Sequence, residues 1–190
     1  LNQILAEVDH FGSAQPATMQ ALINAISQLV VLKMRHKQND PSLTAQEIAR
    51  VTTTLPYNLD AWDGYFAERE QLYAMLSGKN VVVLAGDTHN AWMGKLTDMQ
   101  GKFIGTEIAC SSVSSPGLEA YLGITSDSSK AVELAQAFTV LIDDLEYANL
   151  YKRGYVHLKF TSSGSEAEWR FVDSVTSETT TTITEKKYTM

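Results

Sequence analysis

The spacing of apolar positions predicts two helices in the first quarter of the chain. From Pro16 to Lys37 apolar residues recur every three or four positions, as on one face of a helix, and Pro16 suits a first helical turn. A second helix is predicted over Ser42–Val51, where Thr44 and Glu47 stand at capping-box spacing. Both segments therefore read as helices that present an apolar face to a core.

The middle of the chain combines helix and strand signals. A third helix is predicted to begin at Trp62 or Asp63 and to end at Gly78, a residue suited to a left-handed cap. The continuous aliphatic run Val81–Ala85 predicts a strand that is buried on both faces. After this strand we expect a turn or short helix, and then another strand near 103–113.

The last third of the chain predicts a helix followed by a β-hairpin. Helical spacing extends over Ser128–Tyr147. Apolar and polar residues then alternate over Tyr155–Phe160, turn at Ser162–Ser165 and alternate back over Ala167–Phe171, which predicts a hairpin with one apolar face. The Thr-rich segment 176–190 is interpreted as either an edge strand or a mobile end.

Composition and charge narrow the class of protein. The 190 residues, 44% of them hydrophobic, suffice for the core of one domain. No apolar run is long enough to cross a membrane. The net charge of −7 argues against nucleic acid as a stable partner, because such binding depends on clustered cations. A single cysteine, Cys110, excludes an internal disulfide, and the start at Leu1 rather than Met leads us to expect part of a longer or processed protein.

The aliphatic run at residues 81–85 leads into Gly86-Asp87-Thr88-His89, which can be interpreted in two ways. Asp87 and His89 carry a carboxylate and an imidazole, both common metal ligands, and residues two apart can converge in a tight turn. Alternatively, polar residues simply follow a strand where it meets water. Two ligands do not specify a metal site, since a catalytic zinc-type site uses about three protein groups and a water. The residues alone leave both interpretations open.

Four motifs nevertheless occur in a recognisable order: "WDGYFAERE", "LAGDTH", "TEIACSSVSSPG" and "RGYVHLKF…AEWRFVD". Together they resemble the C-terminal half of the PhoD-like alkaline phosphatases, relatives of the calcineurin-like metallophosphoesterases. The resemblance spans about Leu55 to Val175. Residues 1–54 match only as a helical segment, and residues 176–190 follow the resemblance as a tail within the same single domain, 1–190.

This resemblance implies an α/β fold: part of an α/β/β/α sandwich with a mixed sheet, flanking helices and a C-terminal β-hairpin. Metals would lie at the carboxyl ends of the central strands, with Asp87 and His89 as ligands. Asp63 and Arg69 would be active-site candidates. From the residues alone, Asp63 could instead cap a helix and Arg69 could be an ion-pair partner on a solvated face. The family's other ligands belong to N-terminal motifs that this chain does not contain, and no ligand role is transferred to Cys110.

The function implied by the resemblance is metal-dependent hydrolysis of phosphate monoesters, and often diesters, at alkaline pH. Calcium and iron are the expected metals, with zinc or manganese as alternatives, and the expected location is periplasmic, secreted or at the cell surface. A non-catalytic binding or scaffolding module of the same fold is the alternative. The chain alone is expected to be inactive and to expose one side of its sheet, which would favour a rearranged core or a homodimer.

Overall fold

The computed structural model describes residues 16–53, 59–124, 129–178 and 180–190. The described helices are α1 (Pro16–Lys37), α2 (Ala45–Thr52), α3 (Phe66–Leu76), α4 (Leu118–Tyr121) and α5 (Ser129–Leu141), with a 3-10 turn at Trp62–Gly64. The described strands are β1 (Val82–Ala85), β2 (Ala91–Thr97), β3 (Phe103–Ala109), β4 (Leu145–Asn149), β5 (Gly154–Thr161), β6 (Gly164–Val172) and β7 (Thr182–Thr189).

The strands form two sheets. The first has the order β1-β3-β2-β4, in which β1 runs parallel to β3 and the other pairs are antiparallel. The second is the antiparallel sheet β5-β6-β7. The parallel pair places the carboxyl ends of β1 and β3 at one edge of the first sheet, where Ala85 is the register partner of Ala109. The loops that follow these two strands therefore start side by side.

The two sheets pack face to face around an apolar cluster. Met93 and Ile108 from the first sheet meet Trp169 and Phe171 from the second. Trp169 is fully buried, and its indole Nε1 donates a hydrogen bond of 3.0 Å to the main-chain oxygen of Ala109. This bond satisfies the only polar atom of the indole and ties β6 to the carboxyl end of β3.

Helices cover the opposite face of the first sheet. Leu22 of α1 and Leu134 of α5 belong to a second buried cluster, against which Trp92 of β2 packs. The ring of Trp92 stacks on Phe138 with centroids 6.1 Å apart. The described chain is thus layered as helices, sheet and sheet, which confirms the expected α/β fold with a mixed sheet and a C-terminal antiparallel sheet. An outer helical layer on the second sheet is not among the described residues.

Several predicted elements are confirmed. α1 spans Pro16–Lys37 as predicted, and Thr44 with Glu47 forms the predicted capping box of α2. Gly78 has a φ of 79°, the left-handed conformation expected where a helix ends. The tail is an edge strand, because β7 pairs with β6 along its length.

Two strands were not predicted. After His89 the chain enters β2 at Ala91, where a turn or short helix was expected. The helix predicted to run to Tyr147 ends at Leu141, and the following residues form β4. Both strands owe their conformation to pairing: β2 lies between β3 and β4 and pairs with both, and β4 pairs with β2. Such partners lie far away in the sequence and can override local preference.

The prediction that β1 is buried on both faces is wrong. β1 lies at the edge of the first sheet and pairs only with β3 among the described strands. Val82 packs against the cluster between the sheets, but 58% of Leu84 and 55% of Phe103 are exposed. This exposure is at the edge of the first sheet, whose two faces are covered by helices and by the second sheet, so the expected exposure of one whole side of the sheet is not what the described residues show. The expected dimerisation stays a prediction.

The third helix begins later than predicted. Trp62 and Asp63 belong to the 3-10 turn, and α3 starts at Phe66, which is 44% exposed. Tyr73 is the buried residue of α3. No helix of the described chain is long and apolar enough to span a membrane.

Trp169→Ala should lower the free energy of unfolding by ~3–5 kcal/mol, because it removes a fully buried ring and leaves the Ala109 oxygen without its donor. Urea unfolding of the full chain measures this change. Trp62→Ala is the matched control: Trp62 is 55% exposed, so its loss should cost ~0.5 kcal/mol or less. Equal losses in the two variants would contradict the central position of Trp169.

Candidate active site

A tight turn follows β1 and carries two of the predicted site residues. The main-chain N–H of His89 donates to the oxygen of Gly86 at 3.0 Å, which closes the turn around Asp87 and Thr88. His89 has a φ of 59°, a left-handed conformation that is uncommon for a residue with a side chain. Such backbone conformations persist where neighbouring contacts hold them, and they concentrate at functional sites.

The imidazole of His89 is fixed by a main-chain carbonyl. Its Nδ1 lies 2.9 Å from the oxygen of Pro116. Because a carbonyl oxygen can only accept, Nδ1 carries the hydrogen, and in the neutral imidazole Nε2 then presents its lone pair. Histidines that bind metals are usually held in this way, with the other ring nitrogen donating to a carbonyl or carboxylate.

Asp87 lies at the exposed tip of the same turn. Within the part of the chain that the structure describes, its carboxylate has no hydrogen-bond or ion-pair partner. An exposed carboxylate two residues from an oriented imidazole suits a cation, since the carboxylate of Asp87 can turn toward an ion at Nε2 of His89 without breaking a contact. The chemistry of these two donors therefore fits a metal ion, and each donor is available.

The loop after β3 supplies the acceptor for His89. The main-chain N–H of Cys110 donates to the oxygen of Ala85, which continues the pairing of β1 and β3 by one residue. Farther along, Ser112 accepts a hydrogen bond from the N–H of Gly154 at the start of β5. This loop, 110–117, is therefore attached at both sides, and it brings Pro116 next to His89.

Asp63 and Arg69 form an ion pair beside α3. Nη1 of Arg69 donates a hydrogen bond to Oδ1 of Asp63, and the two atoms are 2.7 Å apart. The guanidinium carbon also lies 4.7 Å from the ring centroid of Phe66 and 5.7 Å from that of Tyr73. Asp63 does not cap α3, whose N-cap, Tyr65, makes no side-chain cap bond. Arg69 is thus held by charge and by two aromatic rings.

Sequence reasoning missed Glu107 in this region. Glu107 lies on β3 and is the register partner of Val83 on β1. Burial raises the pKa of its carboxyl group, and the negative charge of Asp63 raises the pKa further. The only sequence signal was an acidic residue inside the apolar strand "FIGTEIA".

The structure brings the predicted residues together as two pairs. Asp87 and His89 share a turn, and Asp63 and Arg69 share an ion pair, but the two pairs make no hydrogen bond or ion pair with each other within the described ranges. Among the described residues, no group of three or more His, Cys, Asp or Glu side chains is placed to hold a metal.

Three aromatic residues near the candidate site differ in their packing. The ring of Trp92 stacks on Phe138, and its indole Nε1 donates to Thr88 Oγ1 at 3.1 Å, so Trp92 supports the turn that carries His89. Trp62 and Tyr65 are at least half exposed and do not act as packing anchors in the described chain.

Comparison with known proteins assigns the family. The family model for PhoD-like phosphatases matches residues 15–169. Alkaline phosphatase D of Bacillus subtilis (strain 168) is 33% identical over 129 residues, which cover 63% of this chain and 20% of that protein. A solved structure of PhoD superimposes with a TM-score of 0.54 at 26% identity and covers 70% of this chain and 25% of that one.

The chain thus spans about a fifth to a quarter of the length of these relatives. The family match begins at residue 15, well before Leu55, so the resemblance read from the motifs was too narrow at its N-terminal side. With more than half of its residues matched, the chain belongs to the PhoD-like phosphatase family.

Proposed function

We propose that this chain is the C-terminal part of the catalytic domain of a metal-dependent phosphatase that hydrolyses phosphate monoesters and diesters. The observation that carries the proposal is the geometry of His89, whose Nδ1 is held by the Pro116 oxygen, while no described residue makes a hydrogen bond to Nε2 and Asp87 lies in the same turn. Family membership supports the same reaction class, and the relative from Bacillus subtilis is named an alkaline phosphatase.

Asp87 and His89 are the residues that would hold a metal in this chain. Nε2 of His89 and the exposed carboxylate of Asp87 suit iron, zinc or manganese, and the carboxylate also suits calcium. A bound metal would polarise phosphate oxygens and make a bound water acidic enough to supply hydroxide. The role of the chain is to keep His89 in one tautomer and one orientation, so that the nitrogen it offers is always the same.

Asp63 and Arg69 are proposed to bind and orient the phosphate group of the substrate. A guanidinium can contact two phosphate oxygens at once, and Phe66 with Tyr73 restricts the plane of the Arg69 guanidinium. The Asp63 carboxylate, 58% exposed, occupies one side of Arg69 at present. A phosphate oxygen would have to compete with it, so Asp63 would tune how strongly Arg69 binds the substrate.

A non-catalytic module is the second candidate. It is favoured by the fact that only two of the expected ligands lie together in the described residues. The sequence that precedes Leu1 in the complete protein distinguishes the two. An Asp-x-Cys or Asp-x-His motif and a Gly-Asp pair there would support the enzyme, and their absence would support the module. We also propose, from its family, that the protein works in the periplasm, at the cell surface or outside the cell.

Asp87→Ala or His89→Asn in the complete protein should reduce hydrolysis of p-nitrophenyl phosphate to the level of buffer alone. Asparagine is chosen for His89 because it tolerates the left-handed conformation but lacks an imidazole. His157→Ala, on the exposed face of β5, is the control and should retain full activity. Metal content is measured in parallel, and normal turnover with unchanged metal in either variant would refute the ligand assignment.

Arg69→Lys should lower kcat/KM of the complete protein by about ten- to a hundredfold, because lysine cannot bind two phosphate oxygens through a planar fork. Asp63→Asn should change KM more than kcat, since it removes the carboxylate that competes for Arg69. Arg50→Lys, on the exposed surface of α2, is the control. Unchanged kinetics in both site variants would restrict Asp63 and Arg69 to a structural role.

The 190-residue chain alone should bind divalent metal weakly and should not turn over p-nitrophenyl phosphate, because Asp87 and His89 are too few ligands for a catalytic site. A steady-state assay with added calcium, iron, zinc and manganese measures this. Turnover at rates of about 1 s⁻¹ or more, usual for enzymes, would contradict the expectation.

A further inference from the structure

We infer that Asn90 is a positioning residue for His89: its side-chain amide bridges the turn that carries the imidazole and the loop that carries the Pro116 oxygen. The inference rests on the proposed function, in which His89 offers Nε2 to a metal. It assigns a role to a residue that is neither a ligand nor, on its own, part of any recognisable motif.

Asn90 is buried and makes one hydrogen bond to each of the two loops. Its exposed fraction is 4%. Its Nδ2 donates to the main-chain oxygen of Thr88 at 2.8 Å, within the turn that carries His89. Its Oδ1 accepts from the main-chain N–H of Leu118 at 3.1 Å, two residues after Pro116. The side chain of Asn90 therefore connects the same two loops that the imidazole of His89 connects through its bond to the Pro116 oxygen.

The bond to Leu118 also completes a helix end. Leu118 is the first residue of α4, and its N–H has no partner within that helix. The N-cap residue, Gly117, has no side chain to supply an acceptor. The amide oxygen of Asn90 supplies the acceptor that Gly117 lacks, although Asn90 lies 28 residues earlier in the chain. The position of the loop that carries Pro116 therefore depends on the position of the turn that carries His89.

The two loops are in close contact at Gly117. A Cβ atom at this position would lie 2.8 Å from Asn90 Oδ1 and 3.0 Å from the main-chain oxygen of His89. The φ of Gly117 is −106°, which other residues adopt readily, so the constraint is one of space. This contact limits movement of the Pro116 oxygen toward the turn. The hydrogen bond between Asn90 and Leu118 limits its movement away from the turn.

The loop is anchored separately by a buried ion pair. Glu119 and Arg153 pair with each other, and Glu119 also accepts a hydrogen bond from the N–H of Gly117 at 3.3 Å. Arg153 in turn donates to the main-chain oxygen of Tyr151 at 2.7 Å. Because these contacts do not involve Asn90, the loop should stay folded when Asn90 is replaced. What should be lost is its alignment with the imidazole.

The test is the tautomer of His89 in the metal-free 190-residue chain. With ¹⁵N-labelled histidine at pH ~8, where imidazoles are neutral, NMR distinguishes a protonated from an unprotonated ring nitrogen. His89 is assigned by comparison with His89→Asn. The wild-type chain should show a single tautomer with the proton on Nδ1. Asn90→Ala should give a mixture of tautomers, because Nδ1 no longer has a fixed acceptor.

Asn149→Ala is the matched control. Asn149 is also 4% exposed, accepts main-chain hydrogen bonds from Tyr151 and Lys152, and donates to Glu185, none of which belongs to the two loops. It should lower the urea midpoint about as much as Asn90→Ala but leave the His89 tautomer unchanged. Asn90→Ser is a milder second variant, since a hydroxyl cannot reach Thr88 and Leu118 together. It should give the same mixture if Asn90→Ala fails to fold.

A second readout uses the complete protein and Co²⁺ alone. Asn90→Ala should weaken Co²⁺ binding by about ten- to a hundredfold, as expected when the support of a metal-binding histidine is removed, and Asn149→Ala should not. If both Asn90 variants keep the wild-type tautomer, the inference is overturned, whatever the metal does. If the tautomer changes as expected but the wild-type protein binds no Co²⁺, the proposed function fails and the positioning role stands.

Discussion

The parallel pairing of β1 with β3 is the constraint on which the candidate site depends. It sets Ala85 beside Ala109, and the bond from the Cys110 N–H to the Ala85 oxygen extends the pairing one residue into the loop. Two loops that are far apart in the sequence therefore leave the sheet at the same place. The hydrogen bond between His89 and Pro116 depends on this placement of the two loops. The pairing of β1 with β3 is enough to produce it, although β1 is an exposed edge strand.

Trp169 connects the carboxyl end of β3 to the second sheet. Its hydrogen bond reaches the oxygen of Ala109, the last residue of β3, from the second sheet. The carboxyl end of β3 is therefore fixed from both sides, by β1 within the sheet and by β6 across the sandwich. A site made of loop residues can be rigid when the strand ends that carry it are held in this way.

Much of this arrangement is predictable from local sequence, since its signals lie within a few residues. The capping box at Thr44, the hairpin of β5 and β6 and the strand that ends at Ala85 are of this kind. β2, β4 and the acceptor of His89 are not predictable in this way, because each depends on a partner that is distant in the sequence and adjacent only in the folded chain. Glu107 is similar: a carboxyl group within a strand becomes unusual only when burial and Asp63 raise its pKa.

The two halves of the candidate site are held by different forces, and this difference bears on how they could work. Nδ1 of His89 is held directly by a main-chain carbonyl, and the amide of Asn90 bonds to both loops, so the bonds nearest to the imidazole join neutral groups. Arg69 is fixed by the charges of Asp63 and Glu70 and by aromatic rings, and Glu107 lies near enough to Asp63 for that charge to raise its pKa. A bond network of the first kind keeps its geometry when a cation or anion arrives. A charge network of the second kind responds to an incoming anion, because phosphate and carboxylate compete for one guanidinium. In the proposed function, the fold thus combines a rigid donor for a metal with an adjustable partner for a substrate.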